Sequence, residues 1–187
     1  IWDAWADETG SIGKAYGYQL GIKHHYKEGD MDQVDRVLYD LKHNPYSRRI
    51  MTNIYNHEDL HEMNLYPCAY SMTFNVTGNK LNAILNQRSQ DTLTANNWNV
   101  VQYAILVHMF AQVSGLVPGE LVHVIADAHI YDRHIPIVER MLERAPAPVP
   151  RLIIDSSVTD FYAFTPDSFR LDGYTPAAFE EKIPIAI

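Results

Sequence analysis

The stretch "NVVQYAILVHMFAQVSG", residues 99 to 115, most limits how this chain can fold. At helical spacing it is apolar nearly all the way round, and it stops at Gly115, a residue suited to ending a helix. A helix with no polar face must sit in the core, with other elements covering it. The preceding segments suit that task. From Ala69 to Val76, Tyr70, Met72, Phe74 and Val76 alternate with Ser71, Thr73 and Asn75, the period of a half-buried strand. "TGNK" turns the chain and "LNAILNQRS" alternates again, so residues 69 to 88 predict a hairpin.

The other segments mix both periods. Val34, Val37, Leu38 and Leu41 fall on one face of a helix that stops at Asn44-Pro45. "SRRIMTNIY" predicts a strand, and "NHEDLHEM" a short helical turn with Asn56 as N-cap. "LVHVIADAHIY" predicts a buried strand, and "DRHIPIVERMLER" a helix with a proline in its first turn. "APAPVP" is a stiff linker, "RLIID" a strand, and "EEKIPIAI" an extended apolar end. No βαβ rhythm appears, so the fold class is α+β around a mixed sheet.

The 187 residues, 47% of them hydrophobic, suffice for one domain, residues 1–187, with a sizeable core. A net charge of −8 without a basic tract argues against DNA and general nucleic-acid binding, and an anionic ligand would need gathered arginines. One cysteine excludes an internal disulfide and fits a reducing, cytoplasmic setting. No apolar run approaches a membrane span, and none reads as a signal peptide. The start, "IWDAWADETG", reads as a chain whose first part is absent.

Several constellations could carry chemistry. Cys68 follows Pro67 at the start of the first hairpin strand; a lone cysteine there is either a small buried hydrophobe or a nucleophile. His57-Glu58-Asp59-Leu60-His61 fits the zinc pattern H-E-x-x-H, but that pattern needs a two-turn helix and a third ligand. With nine histidines in the chain, a solvated helix face explains it, and no metal is expected. Arg48 and Arg49 open a predicted strand, where neighbours point to opposite faces, so the pair is either a surface pair or a split phosphate clamp. "NQRSQD" ends a strand with Arg88, Ser89 and Asp91, a set suited to a phosphorylated polar ligand or to a plain turn. Asn99 is either a helix cap or an amide that reads a base edge. Asp127, His129 and Tyr131 alternate on one strand face, costly in a buried strand unless they line a site.

Together, "IWDAWADETGSIGKAYGYQ", "NPYSRRIMTNIYN", "LYPCAY", "QRSQD", "NWNVVQYAILVHMFAQVSGLVPGELVH", "DAHIYDRHI" and the end "IPIAI" resemble, in family order, the folate-dependent thymidylate synthases that use a cysteine nucleophile. The resemblance covers essentially the whole chain and implies a thymidylate synthase-like mixed β-sheet packed with helices, with the family's N-terminal third not matched. It implies a methyltransferase that converts dUMP to dTMP, with 5,10-methylenetetrahydrofolate as one-carbon donor and reductant, and with no metal or nicotinamide. By resemblance Cys68 is the nucleophile at uracil C6. Arg88 and Ser89 hold phosphate, and Arg48 and Arg49 reach the phosphate site of a second subunit in a homodimer. Asn99 reads the pyrimidine edge, His129 and Tyr131 bind the deoxyribose hydroxyl, and Gln87, Gln90 and Ile130 join the substrate contacts. Asp91 meets the pterin. Trp2, Trp5 and Tyr16 surround the folate and the proton-transfer site, while Ala186 and Ile187 belong to a tail that folds over the cofactor.

The chemistry accounts for these residue types. Uracil C5 is a poor nucleophile, and thiolate addition at C6 makes it enolate-like, able to attack the folate methylene. A guanidinium such as Arg88 beside the thiol favours the thiolate. Charge developing at O4 needs donors. The sequence also departs from the family pattern: Ala69 follows the nucleophile where His is frequent, Ala95-Asn96-Asn97-Trp98 replaces Gly-x-Pro-Phe, Ala126 replaces a Gly, and "GIKHHYKEGD" lacks a Trp-Arg pair. These departures keep two alternatives: a pyrimidine-nucleotide 5-hydroxymethylase of the same family, and an inactive RNA-binding or regulatory fragment.

Overall fold

The computed structural model describes residues 2–184, with only the backbone of Trp2. After a 3-10 turn at Trp2–Trp5, the chain forms α1 (Gly17–Gly21), β1 (His24–Tyr26), β2 (Gly29–Met31), α2 (Gln33–His43) and β3 (Met51–Asn53). Then come β4 (Ala69–Thr77), β5 (Lys80–Gln87), β6 (Gln90–Asp91), α3 (Asn96–Val113), β7 (Val117–Ile125) and β8 (Ala128–His129). The last elements are α4 (Ile135–Leu142), β9 (Arg151–Ile154) and β10 (Phe169–Asp172).

The central sheet has the order β3-β4-β5-β7. β3, β4 and β5 run antiparallel, and β7 joins β5 in parallel after crossing over through α3. This is the mixed sheet of an α+β fold. The predicted hairpin is β4–β5, with Thr77 paired to Lys80 and Gly78 at φ 63°, a left-handed value that glycine adopts at little cost. Its alternation is not perfect. A bulge at Tyr70 lets Ala69 and Met72 both face the core although they are three residues apart. Tyr70, expected on the core face, is only half-buried.

α2 lays Val37 and Leu41 into the core with Val34 and Leu38 beside them, as the spacing predicts. Its N-terminus is capped by Asp32, whose carboxylate accepts from the Asp35 N–H at 2.9 Å. α3 packs Tyr103, Val107, Phe110 and Ala111 onto the sheet, and Phe110 meets Phe74 edge to face at 5.3 Å. The all-round burial expected of this helix is not observed: Val101 is 55% exposed, and only one stripe is fully buried.

Two strand readings change. Residues 121–131 are not one buried strand. β7 ends at Ile125 with Val122 and Val124 exposed, and the short β8 pairs with β6 beyond a break at Ala126-Asp127. Arg48 and Arg49 lie in the turn before β3, so the opposite-faces rule for strands does not govern them. On the sheet face away from α3, Met51, Thr73, Ile84 and Val122 follow one another across β3, β4, β5 and β7, and the three apolar members are each more than one-third exposed. No helix among the described residues is long and apolar enough to cross a membrane.

Candidate active site

A cavity of about 630 Å³ opens between the start of β4, the β6–α3 connection, β8 and the C-terminal segment. Cys68, Ser89, Asp91, Asn99, His129 and Tyr131 all line it. They come from four separate stretches of sequence, so the sheet and its crossover gather them.

Cys68 stands at the sheet end of β4 because its carbonyl accepts from the Arg88 N–H at 2.9 Å, extending the β4–β5 ladder by one link. Its own N–H donates to the Tyr16 hydroxyl oxygen at 3.0 Å. Tyr16 is the only non-glycine with positive φ among the described residues, at 45°. For a bulky side chain that conformation costs roughly 1–3 kcal/mol, offset here by burying the ring and meeting the Cys68 amide. Burial, reinforced by the neighbouring thiol, holds the Tyr16 phenol well above its ordinary value. The group therefore keeps its proton, and with its oxygen occupied by Cys68 it can donate into the cavity it lines.

Arg88 folds back over the 66–68 turn. Its Nε donates to Pro67 O and its Nη2 to Tyr66 O, both at 3.0 Å, and Nη2 lies 3.9 Å from Cys68 Sγ. The guanidinium places positive charge where thiolate charge would form. It is exposed and stands at the cavity rim rather than in its lining.

Asp91 ties the entrance of α3. Its Oδ1 accepts from the Leu93 and Thr94 N–H groups at 3.1 and 3.2 Å, and its Oδ2 accepts from the Thr94 hydroxyl at 2.5 Å. Asn99 is not the helix cap, because α3 begins three residues earlier at Asn96. Its Nδ2 donates to Gln90 Oε1 at 3.1 Å. Gln90 and Gln87, expected as substrate contacts, are 1% and 2% exposed and lie behind the cavity wall. His129 and Tyr131 face the cavity with their rings edge to face, 5.1 Å apart. Asp127 comes within 3.4 Å of His129 Nδ1 without hydrogen-bond geometry and points outward.

Other expected members stand apart. Arg48 and Arg49 are exposed and outside the cavity, and their side chains meet no partner among the described residues. Ile130 is 41% exposed and outside the lining. Trp5 lines the cavity, whereas the Trp2 side chain, Ala186 and Ile187 lie outside the described residues. His57 and His61 sit in a turn and a single 3-10 turn, Leu60–Glu62, not the two-turn helix that the zinc pattern needs. Asn56 Oδ1 accepts from the Glu58 N–H at 3.2 Å, a local turn bond rather than a helix cap.

The sequence reading missed Trp98 and His134. Trp98 lines the cavity from the first turn of α3; it stands inside a family-like stretch and in a departure from the family pattern, neither of which assigns it a role. His134 is fully buried, and its Nε2 lies 2.8 Å from Pro184 O, so it holds the C-terminal segment against the cavity. A histidine just before an amphipathic helix was the only available signal for it.

Comparison with known proteins agrees with this geometry. The sequence model described as thymidylate synthase matches residues 1–187. The chain is similar to the thymidylate synthases of Bacillus subtilis subsp. natto and Bacillus phage phi3T, at 45% identity over 93% of this chain and 63% of each relative. The thymidylate synthase of Bacillus atrophaeus is 44% identical, with 77% of its length covered. The chain thus spans 63% of the length of the first two relatives. The solved structure of thermostable thymidylate synthase A from Bacillus subtilis superimposes with a TM-score of 0.90 at 41% identity, covering all of this chain and 66% of that one. With its mixed sheet and its gathered thiol site, the chain belongs to the thymidylate synthase family.

Proposed function

We propose that the protein carrying this chain, read as one thymidylate synthase-like domain over residues 1–187, methylates dUMP to dTMP using 5,10-methylenetetrahydrofolate. The observation that carries this reading is the Cys68 thiol at a cavity wall, between the Arg88 guanidinium at 3.9 Å and the Tyr16 hydroxyl on its amide, facing Asn99. Cys68 sulfur adds to uracil C6, and the C5–C6 π electrons move towards O4. C5 then attacks the folate methylene as one of its two C–N bonds breaks and that nitrogen takes up a proton; loss of the C5 proton then expels the second folate nitrogen and leaves an exocyclic methylene. Hydride from the folate carbon reduces that methylene to methyl, and the thiolate departs from C6. Asn99 meets the O4/N3–H edge, His129 and Tyr131 the sugar hydroxyl, and Arg88 and Ser89 the phosphate. Asp91 and Trp5 flank the folate, and Tyr16 donates near the proton-transfer position. No nicotinamide or metal enters this balance.

The active unit in this reading is a cytoplasmic homodimer. Its support is the exposed apolar row Met51–Ile84–Val122 on the sheet face away from α3, which a second copy would bury. Arg48 and Arg49 stand at the β3 edge of that sheet and outside their own cavity, and in this reading they serve a partner's phosphate.

The test uses 5-fluoro-dUMP with methylenetetrahydrofolate. Fluorine replaces the C5 proton, so the covalent complex should accumulate and survive denaturing mass spectrometry, and Cys68→Ala should abolish it. An adduct that persists in Cys68→Ala would rule the assignment out.

A further inference from the structure

Behind the cavity wall lies a chain of side-chain amides that the reaction does not touch. Gln87, at the end of β5, is 2% exposed, and its Nε2 donates to Ser89 O at 2.8 Å and also to Gln90 Oε1. Both of its amide protons are thereby used. Its Oε1 faces His123 Nε2 at 2.8 Å, so that ring nitrogen must carry a proton. Burial pushes His123 below its ordinary value, which favours the neutral ring. Gln90, 1% exposed, accepts at Oε1 from Gln87 and from Asn99 Nδ2, and its own Nε2 points to Asp91 O at 3.4 Å. Both lone pairs of Gln90 Oε1 are used.

The direction of this chain is set by backbone atoms that cannot turn round. Flipping Gln87 would set its oxygen against Ser89 O. Flipping Gln90 would set its NH₂ against that of Gln87. Flipping Asn99 would set its Oδ1 against Gln90 Oε1. Each reversal opposes like groups, and at the buried Gln87 and Gln90 an unmade hydrogen bond costs its full desolvation.

We infer that Gln87 and Gln90, completed by His123, are positioning residues that hold the Asn99 amide in one orientation and so set its preference for uracil over cytosine. The inference rests on the proposed dUMP reading and on the contacts His123–Gln87–Gln90–Asn99. With one Nδ2 proton committed to Gln90, Asn99 presents its remaining N–H and its Oδ1 to the cavity. That edge complements uracil O4 and N3–H. Cytosine, with a donor at N4 and an acceptor at N3, meets it donor to donor and acceptor to acceptor.

The experiment measures equilibrium binding of dUMP and dCMP to protein expressed from its complete reading frame. Gln90→Met keeps the volume and removes the acceptor, so the Asn99 amide is released. The ratio of dUMP to dCMP affinity should fall by about tenfold. Gln90→Glu retains an acceptor oxygen there in either protonation state and should restore most of the ratio. An unchanged ratio in folded Gln90→Met, or equal loss of both nucleotides, would overturn the inference, since a merely structural role weakens both alike. Neutron diffraction of the unsubstituted, nucleotide-free protein reads the orientation without any variant. Deuterium on the Asn99 atom facing Gln90 supports the relay, and a bare oxygen there overturns it even if dUMP binds. If the unsubstituted protein binds no dUMP, the functional reading fails, and base discrimination by Asn99 is overturned with it.

Discussion

The cavity wall that carries Cys68 is tied to the backbone of the sheet, whereas residues 178–184, which bring Pro184 to the cavity, rest on side chains of α4 and of the turns before and after it. On the first wall, Cys68 is held by its own carbonyl and amide, and Arg88 by two main-chain carbonyls. On the second, Arg140 pairs with Glu181, Arg144 Nη2 donates to Ala178 O at 3.0 Å, and His134 reaches Pro184 O. Arg140 and Glu181 are exposed, and exposed ion pairs contribute little and weaken in salt. The contrast teaches that the thiol is preorganised while the segment ending at Pro184 is held loosely.

The sharpest way to break the comparison is to ask whether either wall suffices without a second subunit. Arg48→Ala and Cys68→Ala should each be almost inactive alone, and mixing them under subunit exchange should restore activity through heterodimers with one intact site. No recovery despite demonstrated exchange would sink the shared site.

A smaller effect is expected from loosening the thiol wall itself. Tyr16→Phe keeps the ring but strips the Cys68 N–H of its acceptor and removes the donor facing the cavity. We expect kcat to fall about 100-fold, with a cost of about 1–3 kcal/mol for the orphaned amide. A near-normal kcat would show that the thiol does not depend on this anchor.

On the tail wall, Arg140→Ala should raise the folate KM only about two- to fivefold and leave kcat nearly unchanged. A collapse of kcat would mean that the tail belongs to the preorganised part.

The smallest effect concerns Asp59, which ties the Tyr16 segment to the 56–62 turn through Gln19 at 2.9 Å and Lys14 at 3.2 Å. The Gln19 amide, helped by Lys14, holds this carboxyl below its ordinary value. Because the folded value is depressed, the contribution is present above the unfolded value of about 3.9 and is lost as pH falls through the folded one. The Tm difference between wild type and Asp59→Asn should therefore shrink as pH drops from about 6 towards about 3. A difference independent of pH would contradict it.

Much of the fold was legible because its signals are local. The alternation that predicts the β4–β5 hairpin and the face of α2 depend on residues two to four positions apart, and each strand or helix carries its own period. The bulge at Tyr70 was not legible, since one extra residue against β5 appears only when the partner strand is present. The exposure of Val122 and Val124 was missed for a related reason: a run of β-branched residues reads as buried whether its second face meets a helix or a further surface.

The site divides along the same line. Sequence alone determined its chemical inventory: one thiol, an arginine and serine at a strand end, an amide near the start of α3, and a histidine and tyrosine two apart. Tertiary structure alone decided what those groups can do. Arg88 meets Cys68 across 20 residues, the Tyr16 hydroxyl meets the Cys68 amide across 52, and His134 meets Pro184 across 50. Gln87 and Gln90 moved from expected ligand contacts to the layer behind Asn99. Residue type lists the donors and acceptors a side chain owns, but the direction of a hydrogen bond is set by the atom opposite, which only the folded chain brings near.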